Sequence, residues 1–254
     1  MQDLPQQPPD FEVVISVEEQ DSECFEVIQD DLSFEVIEKP ILPVTKLEEK
    51  DLFNVARYLH AHYSKGFTWS ELPNLIQDIL SFISPNPEMN LKEKQKATIL
   101  TLHYVMVSMH PAYLPEKVTH PFFEELLPHF IELALKFPQE KKAIQPSRVD
   151  TLTETSLSEY SEHIAALFDD GLTWKNLATA TRYALTYILS YAHLSSKDQQ
   201  DGAFAILEIL IASADSSELP PHFDPKLFKE FLSGYLKNLM TKKKSALWRP
   251  LDFP

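Results

Sequence analysis

Three short runs within residues 1–45 carry the most specific chemistry in the chain: Phe11-Glu12-Val13-Val14, Phe25-Glu26-Val27-Ile28 and Phe34-Glu35-Val36-Ile37. Each places an aliphatic residue three positions after a phenylalanine, so that Phe11 goes with Val14, Phe25 with Ile28 and Phe34 with Ile37. An extended segment of this kind adds a strand to an exposed sheet edge. Its two apolar side chains fill pockets, and neighbouring carboxylates meet basic groups on the pocket rim. Three copies raise avidity through effective concentration. Two other readings fit the same residues. Alternation of Phe11, Val13, Ile15 and Val17 suits a small β-ribbon, and the runs also suit an autoinhibitory segment that docks on the protein's own helices.

The residues that perform catalysis or bind metal are less well placed. Among nine histidines, His60 and His62 fall on different faces of a helix, while His103 and His110 lie two turns apart without an acidic partner at ligand spacing. Asp169-Asp170 and Glu124-Glu125 read as helix-end or solvated carboxylates. A Gly-x-Ser-x-Gly elbow, a phosphate-binding P-loop, a dinucleotide fingerprint and a His-Glu-x-x-His pair are all missing, and the chain has only four glycines. Cys24 is the single cysteine and can form no internal disulfide. The expectation is a protein with no catalytic residues, no metal site and no cofactor.

Charge divides the chain unevenly. Residues 1–45 contain 12 acids and one base, Lys39, hence −11 of the total −15, and leave −4 for the remainder. With Pro5, Pro8, Pro9, Pro40 and Pro43 in the same stretch, too little apolar surface is available to offset the entropy of ordering, which predicts a flexible acidic tail. Such a tail disfavours nucleic acid and favours a protein partner with a basic-rimmed groove or β-edge. The acidic, proline-rich start does not resemble a secretory signal, and the uncharged run from Ala97 to Pro115 is too polar to span a membrane. These features suit the cytoplasm, or a virion or the cytoplasm of its host.

Beyond the tail the chain repeats itself. Gly66-Phe67-Thr68-Trp69 returns as Gly171-Leu172-Thr173-Trp174, 105 residues later. Leu52, Leu59, Leu72, Leu80 and Ile83 match Leu157, Ile164, Leu177, Leu185 and Ile188 at the same offset. Near the ends of the repeats the offset becomes 101, with Leu126, Phe130 and Leu135 matching Leu227, Phe231 and Leu236. The motif reads as a corner between two helices. Its glycine ends one helix in the left-handed region, and its threonine caps the next. Glu71 is expected to close a capping box on Thr68, and Phe67 with Leu72 to form a hydrophobic staple. Gly66, Thr68, Trp69, Gly171, Thr173 and Trp174 are therefore read as structural.

Apolar spacing and proline positions predict helices over 47–64, 69–84, 91–109, 120–137, 155–169, 174–192, 196–213 and 224–240, with Pro128 kinking or restarting the fourth. The expected protein is all-α, two tandem four-helix units from an internal duplication behind a flexible acidic tail. Its parts are a tail (1–45), unit 1 (46–138), a linker (139–154), unit 2 (155–241) and a basic, aromatic end (242–254) with Lys242-Lys243-Lys244 and Trp248.

Two resemblances accompany these residues. The order Thr-Trp, a Leu/Ile-rich helix, a short loop and the charged helix start Leu91-Lys92-Glu93-Lys94 resembles an uncharacterised helical family of large DNA viruses, over about one helix pair in each unit. The glycine expected before the charged start is absent, and the resemblance implies only a fold and a viral source. The three Phe-Glu-Val runs resemble the Atg8/LC3-interacting motif, which implies a partner with an exposed sheet edge. The leading expectation is a non-enzymatic interaction module. A self-assembling structural component, of a virus particle for example, is the alternative, and a small-ligand carrier or enzyme with a pocket between helices is a lesser one.

Overall fold

The computed structural model describes residues 47–116, 118, 121–168 and 171–240. Eight helices account for most of them: α1 (Glu49–His62), α2 (Leu72–Ile83), α3 (Leu91–Val107), α4 (Pro121–Ala143), α5 (Glu154–Ala165), α6 (Trp174–Leu189), α7 (Ser196–Ser213) and α8 (Pro225–Met240). The described residues contain no strand, only an isolated bridge between Arg148 and Tyr191. No described helix is long and apolar enough to cross a membrane.

Local chemistry sets the helix starts. At α3 the Asn90 side chain accepts from the Glu93 amide at 3.1 Å, while Glu93 Oε2 accepts from the Asn90 amide at 2.7 Å. Ser195 and Asp198 make the same reciprocal pair at α7, 105 residues later. Each such box satisfies two of the amides that a helix start leaves without partners.

Helix α4 departs from expectation. It continues to Ala143, through both Pro128 and Pro138, and so occupies the first residues of the anticipated linker. An internal proline costs about 3 kcal/mol. The nine buried apolar residues of α4, including Phe122, Phe130, Ile131 and Phe137, outweigh that cost. Pro128 also keeps a useful acceptor, since its carbonyl takes a hydrogen bond from Gln95 Nε2 on α3 at 2.5 Å. Helix α2 starts at Leu72 rather than residue 69 because Pro73 has no amide to close the first turn.

The eight helices share one apolar core. Helix α1 packs on α3 and α5 on α7, and α2 packs on α3 and α6 on α7. Beyond these contacts, α2 packs chiefly on α8 and α6 on α4. Residues 101 apart in sequence meet where α4 and α8 approach. Phe130 and Phe231 stand edge to face with centroids 5.3 Å apart, and the buried Tyr235 hydroxyl donates to the Phe130 carbonyl at 2.7 Å.

Candidate functional site

The two Gly-x-Thr-Trp corners lie against this shared core. Gly66 and Gly171 adopt φ of +85° and +84°, the left-handed region in which a side chain is strained. The amides that follow are held alike, Phe67 N donating to the Tyr113 carbonyl at 3.3 Å and Leu172 N to the Glu218 carbonyl at 2.7 Å. Tyr113 and Glu218 are themselves 105 residues apart. The staple residues Phe67, Leu72, Leu172 and Leu177 are all buried.

Capping differs between the corners. Thr173 Oγ1 caps α6 by accepting from the Asn176 amide at 3.2 Å, and Asn176 Nδ2 reaches back to the Gly171 carbonyl at 2.7 Å. Thr68 makes only half of the expected box. Its amide donates to Glu71 Oε2 at 2.9 Å, but its hydroxyl donates to that same carboxylate at 3.0 Å instead of accepting an amide. The late start of α2 moves the N-cap to Glu71.

Trp69 and Trp174 are buried pivots. Trp69 meets Phe122 with centroids 5.5 Å apart and donates Nε1–H to the Glu116 carbonyl at 2.9 Å. Trp174 meets Phe223, the residue 101 beyond Phe122, at 5.6 Å, and it also touches Phe122 at 5.1 Å. Its Nε1–H donates to Glu125 Oε2 at 2.8 Å, so Glu125 is a tryptophan acceptor rather than a merely solvated carboxylate.

Around the first corner the surface is open and polar. A depression of about 400 Å³ is bordered by Gly66, Trp69, Tyr113, Lys226 and Glu230. A second, of about 550 Å³, shares Lys226 and Glu230 and continues past Ser70 to Phe204 and Lys229. Neither brings together residues arranged for nucleophilic or acid–base work. Among the described residues no three His, Cys, Asp or Glu side chains are grouped to hold a metal ion. His62, His103 and His110 are exposed and His60 is half-buried.

Several tyrosines are displaced from ordinary titration. Burial, reinforced by the adjoining Asp78 carboxylate that accepts from its hydroxyl at 2.7 Å, pushes the Tyr63 phenol far up. Tyr104 rises to about 12 through burial and its hydrogen bond to Glu49. Tyr187 also reaches about 12, through burial and its contact with the Tyr191 hydroxyl at 3.0 Å.

Two features escape sequence reading. Arg148, in the connection between α4 and α5, lies over the Tyr187 ring at 4.6 Å and donates to the Tyr191 hydroxyl at 3.3 Å. The backbone there is pinned as well, since the Ser147 and Arg148 amides both donate to the Ser190 carbonyl at 2.9 Å. Helical spacing gave no hint of this, because the contact joins a non-helical segment to a helix end. The second feature is an apolar strip on α1 and α3, where Phe53 (49% exposed), Leu100 (38%) and Val107 (82%) accompany Tyr104. Leu100, Tyr104 and Val107 follow helical spacing, but that spacing alone does not distinguish an exposed face from a buried one.

Phe11, Val14, Phe25, Ile28, Phe34 and Ile37 lie outside the described residues, as do Lys242-Lys243-Lys244 and Trp248. Comparison with protein families, curated proteins and solved structures finds no match to the chain.

Proposed function

We propose that this protein is a non-enzymatic interaction module, a single-cored helical body carrying an acidic segment whose Phe-Glu-Val runs dock on a partner. The observation that carries this reading is the triplication itself: Phe11/Val14, Phe25/Ile28 and Phe34/Ile37 repeat one spacing amid 12 acids. The receptor it fits has an exposed sheet edge, two apolar pockets and a basic rim, the chemistry that the resemblance to the Atg8/LC3-interacting motif implies. Replacing Phe11, Phe25 and Phe34 together with alanine is expected to remove the partners recovered by pull-down on the full chain. Retention of every partner by the triple variant would overturn the proposal.

The body is read as the product of an internal duplication. Support comes from the matched glycine conformations, the amide contacts to Tyr113 and Glu218, and the Phe130–Phe231 contact between repeat-related residues. Contact between equivalent positions is how two-fold symmetric partners meet. We read the two halves as a fused ancestral pair rather than as two independent four-helix bundles.

The strip of Phe53, Leu100, Tyr104 and Val107 favours a second reading, a self-assembling component, of a virus particle for example. Light scattering tests it: concentration-dependent oligomers that Val107→Asp abolishes would support it, and a monomer at high concentration would remove it.

A further inference from the structure

We propose that copies of this chain associate head to tail, the α1–α3 face of one against the α5–α7 face of the next. This pairing rests on the self-assembling reading and adds to it the surface that the apolar strip takes as its partner.

The two faces are built on one register. Helices α1 and α5 start at Glu49 and Glu154, and α3 and α7 at Leu91 and Ser196, in each case 105 residues apart. The capping boxes keep the same interval, Glu48 with Asp51 at α1 and Thr153 with Ser156 at α5. So do two side-chain bonds from α3 and α7, where Gln95 Nε2 donates to the Pro128 carbonyl and Gln200 Nε2 to the Ser233 carbonyl. Positions 105 apart on these helices therefore occupy corresponding places.

At those places the faces carry opposite character. Phe53, Leu100, Tyr104 and Val107 stand where the other face has the smaller Ser158, Ala205, Ile209 and Ala212. The rims reverse in charge, since Arg57 corresponds to Glu162, Lys96 to Asp201 and the neutral Asn54 to Glu159. Arg57, Lys96, Glu159, Glu162 and Asp201 are all exposed, and none has an ion-pair partner among the described residues. Large apolar residues inside a cationic rim fit small residues inside an anionic one, and opposite charges fix the orientation. Strip-to-strip pairing would instead bring two cationic rims together. Neither α1 nor α3 packs on α5 or α7, so the pairing joins separate chains. Contact between two different faces is heterologous and leaves one face of each kind free, to which further copies add.

Sedimentation velocity of the full chain over a range of concentrations tests the pairing. The parent is expected to gain mass as concentration rises. Arg57→Glu with Lys96→Glu, and separately Glu162→Lys with Asp201→Lys, are each expected to weaken association about a hundredfold, because like charges then face each other. The four changes in one chain exchange the signs, keep the net charge at −15 and are expected to restore association. All four sites are exposed, so the helical circular dichroism should be unchanged throughout. If Glu162→Lys with Asp201→Lys associates like the parent, the strip takes another occupant, and the head-to-tail pairing is overturned while self-assembly stands. A four-site variant that stays monomeric overturns it as well. A parent that is monomeric at every concentration removes both the pairing and self-assembly.

Discussion

Gly234→Ala sets two physical effects against each other, and the structure decides the sign. Gly234 lies within α8, where alanine in place of glycine gains about 1 kcal/mol of helix propensity. Yet a Cβ there would stand 2.0 Å from the Ser70 carbonyl oxygen and 2.8 Å from its carbon, just before α2. A carbon–oxygen contact needs about 3.3 Å. Both obstructing atoms are backbone and no side-chain rotation relieves them, so α8 must withdraw from α2 by more than about 1 Å. Overpacking of this kind costs about 1–3 kcal/mol, and the upper end applies to a rigid obstacle. After the propensity gain, a net loss of about 2 kcal/mol remains. Urea titration followed by far-ultraviolet circular dichroism is expected to show a lower midpoint with an unchanged slope, and the melting temperature should fall by about 4–8 °C. A variant as stable as the parent, or more stable, would refute the close α2–α8 packing across the two halves.

Other outcomes follow from the same geometry. Gly66→Ala and Gly171→Ala should each cost about 1–2 kcal/mol for the left-handed backbone alone. Gly66→Ala should be the worse in thermal melts, since its Cβ would lie 2.2 Å from the Tyr113 carbonyl oxygen against 2.8 Å from that of Glu218 at Gly171. Glu125→Ala removes a charged acceptor from the Trp174 indole and should cost about 1.5–3 kcal/mol, whereas Glu116→Ala should cost less than about 0.5 kcal/mol, because Trp69 bonds only its backbone carbonyl. Equal losses in denaturant melts would contradict that contrast. Tyr104 and Tyr187 keep their protons to about pH 12 in the folded chain, but release them near 10 when unfolded. Between those values the unfolded state binds fewer protons, so stability present below pH 10 is lost as pH rises. Absorbance at 295 nm should show these phenols titrating late, together with Tyr63 and the fully buried Tyr235, and alkaline melts should show the loss.

Sequence was a good guide where the controlling interactions are local. Apolar spacing placed the starts of α3 and α7 at 91 and 196, where the structure adds local boxes at Asn90/Glu93 and Ser195/Asp198 that the sequence reading did not name. The positive-φ glycines of the corners were legible for the same reason. The predicted helix end at 137 was wrong because the local cost of Pro138 is visible in the sequence, while the compensating burial of Phe122, Phe130 and Phe137 is a tertiary property. The pairing of α2 with α8 and α4 with α6 was hidden, since apolar periodicity says which face of a helix is buried but not which helix covers it. The Arg148 contact with Tyr187 and Tyr191 was hidden likewise, its partners lying some forty residues apart in sequence. The Phe-Glu-Val runs are legible only in sequence, and their role rests on chemistry rather than on position.

Calorimetric titration of the full chain with a purified Atg8/LC3-type protein tests the proposed docking most directly, with the parent measured beside Phe11→Ala/Phe25→Ala/Phe34→Ala. The parent is expected to bind more than one receptor per chain, with affinity that falls as salt rises and screens the acidic segment, and the triple variant is expected to bind none. Binding by the variant equal to the parent's, or no binding by the parent, would contradict it.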